Sequence, residues 1–197
     1  TTTSALFVQT LARLNHLRES LPEREDSAQR VYRYAASPYQ TTKYPLWLTD
    51  DVIVAVENSF DSPSAFVEVD VASGARRVLH HIGAINTRPV LVGDYIYWTE
   101  IQQISSFAQQ VGSVLLRARV DGKGVTERVL DRDVYALYPV EYGGEVAYVR
   151  YDFSGTYTVV CSAGEFGLPD GVECHGLAAD GDHLYLITTS DRGMAIE

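Results

Sequence analysis

Apolar residues in this chain fall in short runs separated by turn residues, and the arrangement repeats. In NTRPVLVGDYIYWTE (86–100) a proline opens three apolar residues. A Gly93-Asp94 turn follows, then the apolar and aromatic run Tyr95-Ile96-Tyr97-Trp98. PLWLTDDVIVAVE (45–57) has the same form around Asp50-Asp51, YPVEYGGEVAYVR (138–150) around Gly143-Gly144, and HGLAADGDHLYLIT (175–188) around Asp180-Gly181-Asp182. A polar turn comes next, as in NSFDSPS (58–64), DFSG (152–155) or SDRG (190–193). Third strands are expected at AFVEVD (65–70), SVLLRARV (113–120), TYTVVCS (156–162) and MAIE (194–197). The tight turns VASG (71–74) and DGKG (121–124) then lead to fourth strands at RRVLHH (76–81) and TERVLD (126–131). Glycine supplies positive φ in such turns, and aspartate bonds back to the backbone.

The unit is therefore four short strands in roughly 35–50 residues. A four-stranded sheet must bury both faces, and stacking copies around an axis does this while leaving only short edges. The pattern predicts an all-β chain of about four β-propeller blades, each of four antiparallel strands, beginning near Pro45, Pro89, Pro139 and Gly176. The second unit carries an insertion over 101–112 (IQQISSFAQQVG). The third has little strand signal in its fourth position, EFGLPDGVEC (165–174). The fourth ends after three strands, while QRVYRY (29–34) reads as a lone fourth strand. That strand either closes a small four-bladed ring, or the chain is a piece of a larger one. The tightness of a four-membered ring favours the piece.

The N-terminal region has a different period. In SALFVQTLARLNHLRESL (4–21), Phe7, Leu11, Leu14, Leu17 and Leu21 recur at helical spacing behind a Thr3 or Ser4 cap. A helix and linker are thus expected over 1–28, and the propeller over 29–197. The polar face of that helix mixes Glu19, Glu23 and Glu25 with Arg13, Arg18 and Arg24, which does not fit a membrane-surface helix.

Composition narrows the partners. Among 197 residues the net charge is −10, which repels phosphate backbones and argues against nucleic acid. The 13 tyrosines suit pleated, half-buried surfaces. No apolar run approaches the roughly 20 residues that span a bilayer, so direct membrane insertion is not expected. TTTSALFVQT lacks the basic flank and apolar stretch of a signal peptide. The opening Thr1 is expected to be a processed or engineered end, with any targeting signal outside this sequence. Cys161 and Cys174, thirteen positions apart, could close a loop worth about 3 kcal/mol. Two unlinked thiols are the favoured reading. No Cys/His spacing marks a zinc site.

The series of proline, apolar strand, Asp-Gly-type turn, apolar strand, Ser-Asp-Arg-Gly-type turn, strand, glycine turn and Arg-Val-Leu strand resembles the WD40-like repeat of TolB-type propellers. HGLAADGDHLYLITTSDRGMAIE is the clearest copy, and YPVEYGGEVAYVRYDFSGTYTVV the next. The resemblance covers residues 30–197 and omits the helix. Its nearest pattern is that of propeller regions in large envelope or secreted proteins of Bacteroides-like bacteria. It implies a periplasmic, cell-surface or secreted location, a larger parent chain and six or more blades. The turns of the first two units lack Asp-Gly, which leaves their boundaries loose.

Chemistry is sparse. No GxSxG frames a nucleophile, and Ser154 belongs to a turn. His80 and His81, adjacent on a strand, point to opposite faces and do not share an ion. The carboxylate pairs Asp50-Asp51, Asp131/Asp133 and Asp180/Asp182 are explained by turns. Trp98 reads as core between blades. One constellation stands out: Tyr44, Arg88, Tyr138 and His175 each head the first strand of a unit. In a propeller they ring the mouth of the channel and either bind a ligand or seal the channel against each other. The 101–112 insertion, with Gln102, Gln103 and Phe107, is a second candidate surface for a partner. No catalytic residue, metal or cofactor is assigned, and the chain is not expected to be an enzyme by itself. The function expected is a non-catalytic module of a cell-envelope protein that recognises protein, peptide or glycan. An accessory, substrate-gating propeller of a prolyl-oligopeptidase-like hydrolase is the alternative. A carboxylate-based glycan enzyme is the weakest option. Exposed propeller edges allow self-association.

Overall fold

The structure, a computed structural model, describes residues 40–59, 63–85, 87–105, 110–129, 135–152, 155–190 and 193–196. The expected helix over 4–21, the lone strand over 29–34 and the boundary near residue 28 lie outside them. Every named element among the described residues is a β-strand.

The strands form successive antiparallel meanders. β1 (Gln40–Leu48), β2 (Val52–Ser59), β3 (Ser64–Asp70) and β4 (Arg76–Ile82) make the first sheet, in chain order. β5 (Val90–Val92), β6 (Tyr95–Ser105), β7 (Gln110–Arg119) and β8 (Glu127–Arg128) pair in the same way. So do β9 (Tyr135–Tyr142), β10 (Glu145–Tyr151), β11 (Tyr157–Cys161) and β12 (Gly164–Gly167). β13 (Glu173–Asp180), β14 (His183–Ser190) and β15 (Gly193–Ile196) complete the set as a three-stranded sheet. One parallel bridge, Ser113 to Tyr135, links the second meander to the third. The turns work as their residues require. Gly143 and Gly144 both take positive φ (61° and 80°) between β9 and β10. The Asp70 carboxylate accepts from the Ser73 N–H at 2.7 Å in the turn after β3.

Two expectations change. The third meander does have a fourth strand: β12 pairs with β11 from Thr158–Gly167 to Cys161–Gly164. All four of its residues are exposed, so backbone pairing and the Arg150–Glu165 ion pair (2.7 Å) hold it and no apolar pattern announces it. Both flanks of the 101–112 segment are paired strand, and 106–109 lie outside the described residues. β6 and β7 stay paired as far as Ser105 and Gln110, with Gln102 opposite Gly112 and Gln103 opposite Val111. Phe107 lies outside the described residues.

Sheets pack face on face in chain order. Val54, Val56, Phe66, Leu79 and Ile82 of the first meet Ile96, Trp98, Val114, Leu116 and Ala118 of the second. The other face of the second sheet supplies Val92, Tyr97 and Leu115, which join Ala136 and Tyr148 of the third. Alternation along β6 thus serves two neighbours, because successive strand residues point to opposite faces. Trp98, fully buried, is core as its pattern predicts. Polar clamps reinforce the first interface. His80, buried, bonds through Nε2 to the Arg119 carbonyl at 2.8 Å, while His81 is exposed. Glu100 Oε1 accepts from the Trp98 indole N–H (2.8 Å) and from the Gly83 backbone N–H (2.7 Å), fixing the connection between the first two sheets.

Candidate functional site

The first strands of consecutive sheets are neighbours: β1 beside β5, β5 beside β9, and β9 beside β13. They surround a cavity of about 570 Å³. β1 contributes Leu46 to its wall. Thr87, Arg88 and Pro89 lead into β5, which adds Val90 and Leu91. β9 contributes Tyr138 through Glu141, and β13 contributes Leu177, Ala178 and Ala179. The wall combines aliphatic residues with the polar side chains of Thr87, Arg88, Tyr138 and Glu141.

The inner strands share an irregularity that shapes this wall. The β1–β2 ladder slips between Pro45 and Trp47, the β9–β10 ladder between Leu137 and Val140, and the β13–β14 ladder between Cys174 and Gly176. Extra residues at such bulges re-aim side chains. In β9 the slipped residue is Tyr138, at φ 53°, the one non-glycine residue with positive φ among the described residues. Left-handed backbone costs an ordinary L-residue roughly 1–2 kcal/mol, and such strain gathers at functional positions.

Three of the four strand-head residues have described side chains, and they divide. Arg88 and Tyr138 line the cavity together. Arg88 is exposed, and its backbone follows Thr87, whose hydroxyl bonds the Thr99 hydroxyl at 2.5 Å. Burial, then the neighbouring Cys174, raises the Tyr138 phenol above its ordinary pKa, so it remains a donor at neutral pH. His175 does not line the cavity. Its Nε2 meets the Thr189 hydroxyl at 2.7 Å and lies 3.7 Å from Glu173, so the bulge turns the ring onto its own sheet. Tyr44 stands in β1 opposite Val56. Glu141, also in the wall, is tied to its own turn by the Gly144 N–H at 2.8 Å.

A second, open cleft of about 600 Å³ lies beside the Gly93-Asp94 and Gly144-Glu145 turns and was not foreseen. There the Arg117 guanidinium sits 4.8 Å from the centre of the Tyr95 ring, and that of Arg119 5.9 Å. Both cations are already engaged. Arg117 pairs with Glu127 at 2.7 Å, and Arg119 with Asp121 at 2.9 Å. The i, i+2 alternation of Arg117 and Arg119 opposite Tyr97 and Tyr95 was the signal available for this stack.

The other candidates lie apart from the cavity or outside the described residues. Asp50, Asp51, Asp180 and Asp182 are exposed at hairpin turns, away from the cavity wall. Ser154, Asp131 and Asp133 lie outside the described residues. Cys161 and Cys174 are free thiols. Cys174 is buried and donates weakly to the Gly176 carbonyl at 3.3 Å, and desolvation raises its pKa. No family model matches the chain, and no curated protein matches its sequence.

Proposed function

We propose that the chain is a non-catalytic binding module built on propeller blades, part of a larger envelope protein, which recognises a protein, peptide or glycan at the cavity between its first strands. The observation that carries this reading is that cavity. Four successive sheets each contribute their first strand to one hollow, and Arg88 and Tyr138 bring hydrogen-bond donors to a wall that also holds Thr87, Glu141 and several aliphatic residues. Repeated sheets packed face on face, with first strands adjacent, are what radial stacking of blades requires. Arginine and aromatic residues serve as anchors at binding surfaces more often than most others.

The test is a screen of the intact protein against immobilised peptides and glycans, repeated with Arg88→Ala combined with Tyr138→Ala. Loss of capture with the melting transition retained supports the cavity. Unchanged affinity in the double variant moves the site elsewhere, with the 101–112 hairpin the next surface to test. A solved structure in which the sheets stack as two flat layers would remove the propeller reading.

A further inference from the structure

We propose that the cavity holds the free C-terminal carboxylate of an extended peptide ending in an apolar side chain, with the Arg88 guanidinium and the Tyr138 hydroxyl as its donors. The inference deepens the binding-module reading and rests on it.

Charge comes first. The chain carries −10 overall, so an anion reaches this wall only through a local cation. Arg88 is the only cationic side chain lining the cavity among the described residues. Five other arginines are committed: Arg76 to Glu57, Arg77 to Glu68, Arg117 to Glu127, Arg119 to Asp121 and Arg150 to Glu165. Neither the Arg88 guanidinium nor the Tyr138 hydroxyl takes a hydrogen-bond or ion-pair partner among the described residues. Both donors are therefore available to an incoming group.

Donor number then selects the anion. A guanidinium fork matches a carboxylate in a bidentate manner, and one phenol adds a third bond. A dianionic phosphate group would want more cations or a nest of backbone N–H groups. This wall offers one arginine and also contains Glu141.

The rest of the wall selects the body attached to that carboxylate. Leu46, Val90, Leu91, Val140 and Leu177 fit an aliphatic or aromatic side chain. A sugar would seek several aromatic platforms and a dense set of polar partners, and Tyr138 is the single aromatic in the wall among the described residues. At about 570 Å³ the cavity is several times the size of one side chain, leaving room for residues before the last.

Calorimetric titration of the intact protein with N-acetylated hexapeptides ending in Leu, Val or Phe tests this. Each peptide is made as the free acid and as the C-terminal amide. The acids are expected to bind at least about tenfold more tightly than the amides, because a charge-assisted bond is lost in the amide. Arg88→Ala should bring the acids down to the level of the amides and leave the amides unchanged. Arg88→Lys should recover part of the difference. Arg88 is exposed, so these variants keep the fold, which the melting transition verifies. Equal binding of acid and amide would overturn the carboxylate assignment and leave the module reading standing. Binding of 4-methylpentanoate as tightly as the Leu-ending acid would overturn the assignment to a peptide. Capture of glycans with no peptide bound would overturn the inference alone. Failure of peptides and glycans together would overturn the module reading with it.

Discussion

Phe66 of β3 meets Trp98 of β6 edge-on, with ring centroids 4.9 Å apart and planes at 78°. Both rings are fully buried, and they come from different sheets. The contact is therefore a weld between two repeats rather than packing within one.

Trp98→Ala should destabilise the protein by about 3–5 kcal/mol, and Phe66→Ala by a similar amount, since each leaves a cavity at the sheet interface. The double variant should lose less than the sum of the two by roughly 0.5–1.5 kcal/mol, the worth of the edge-to-face pair. Urea denaturation of the four proteins in the cycle measures this.

Glu100 holds the connection between the first two sheets through the Trp98 indole and the Gly83 backbone. Glu100→Ala leaves the buried Trp98 indole N–H without this acceptor and should cost about 1–3 kcal/mol, while the Gly83 N–H, on an exposed residue, adds less. Glu100→Gln keeps an acceptor oxygen and should cost less. Gly83→Ala should also destabilise, because a Cβ there would lie 2.7 Å from Glu100 Oε2. Denaturant midpoints of the three variants give the order.

Tyr138 offers a test of backbone strain that separates it from side-chain loss. With φ at 53°, the position suits glycine and penalises alanine. Tyr138→Gly should be more stable than Tyr138→Ala by about 1 kcal/mol. Ordinary strand preference gives the reverse order. Thermal melts of the two variants decide between them.

Acid sensitivity should include a contribution from the turn after β7. The Arg119 guanidinium, then the Lys123 backbone N–H, hold the Asp121 carboxyl down at about 2, below its ordinary 3.8. A depressed carboxyl stabilises the fold above its unfolded value and loses that contribution as pH falls from about 4 towards 2. Both side chains are partly exposed, so the effect is screened. Asp121→Asn should flatten the dependence of melting temperature on pH within that window and leave the profile above it parallel to that of the parent protein.

The repeat was legible because turns and strands each leave a chemical mark. Gly143-Gly144, Asp50-Asp51 and the apolar runs after them fall where the hairpins form. β12 escaped because an exposed edge strand needs no apolar side chain. The 101–112 segment read as an insertion because Gln102 and Gln103 break the apolar alternation, yet backbone pairing continues past them. At the site, Arg88 and Tyr138 were legible from their place before the prolines, and His175 shares that place in the repeat. Its departure from the cavity follows from a local slip of register and the nearby Thr189, neither of which a repeat pattern encodes. Leu46 and Leu177 were passed over because an apolar strand residue reads as core until the hollow beside it is seen.

The division of β6 between Trp98 on one side and Tyr97 on the other carries an evolutionary corollary. Deleting a single residue upstream within that strand would exchange the two partners at once, handing each neighbour the wrong half of the sequence. Viable length changes are thereby confined to hairpin tips or to steps of two, and descendants of this chain should differ in the reach of their loops long before they differ in the spacing of their strands.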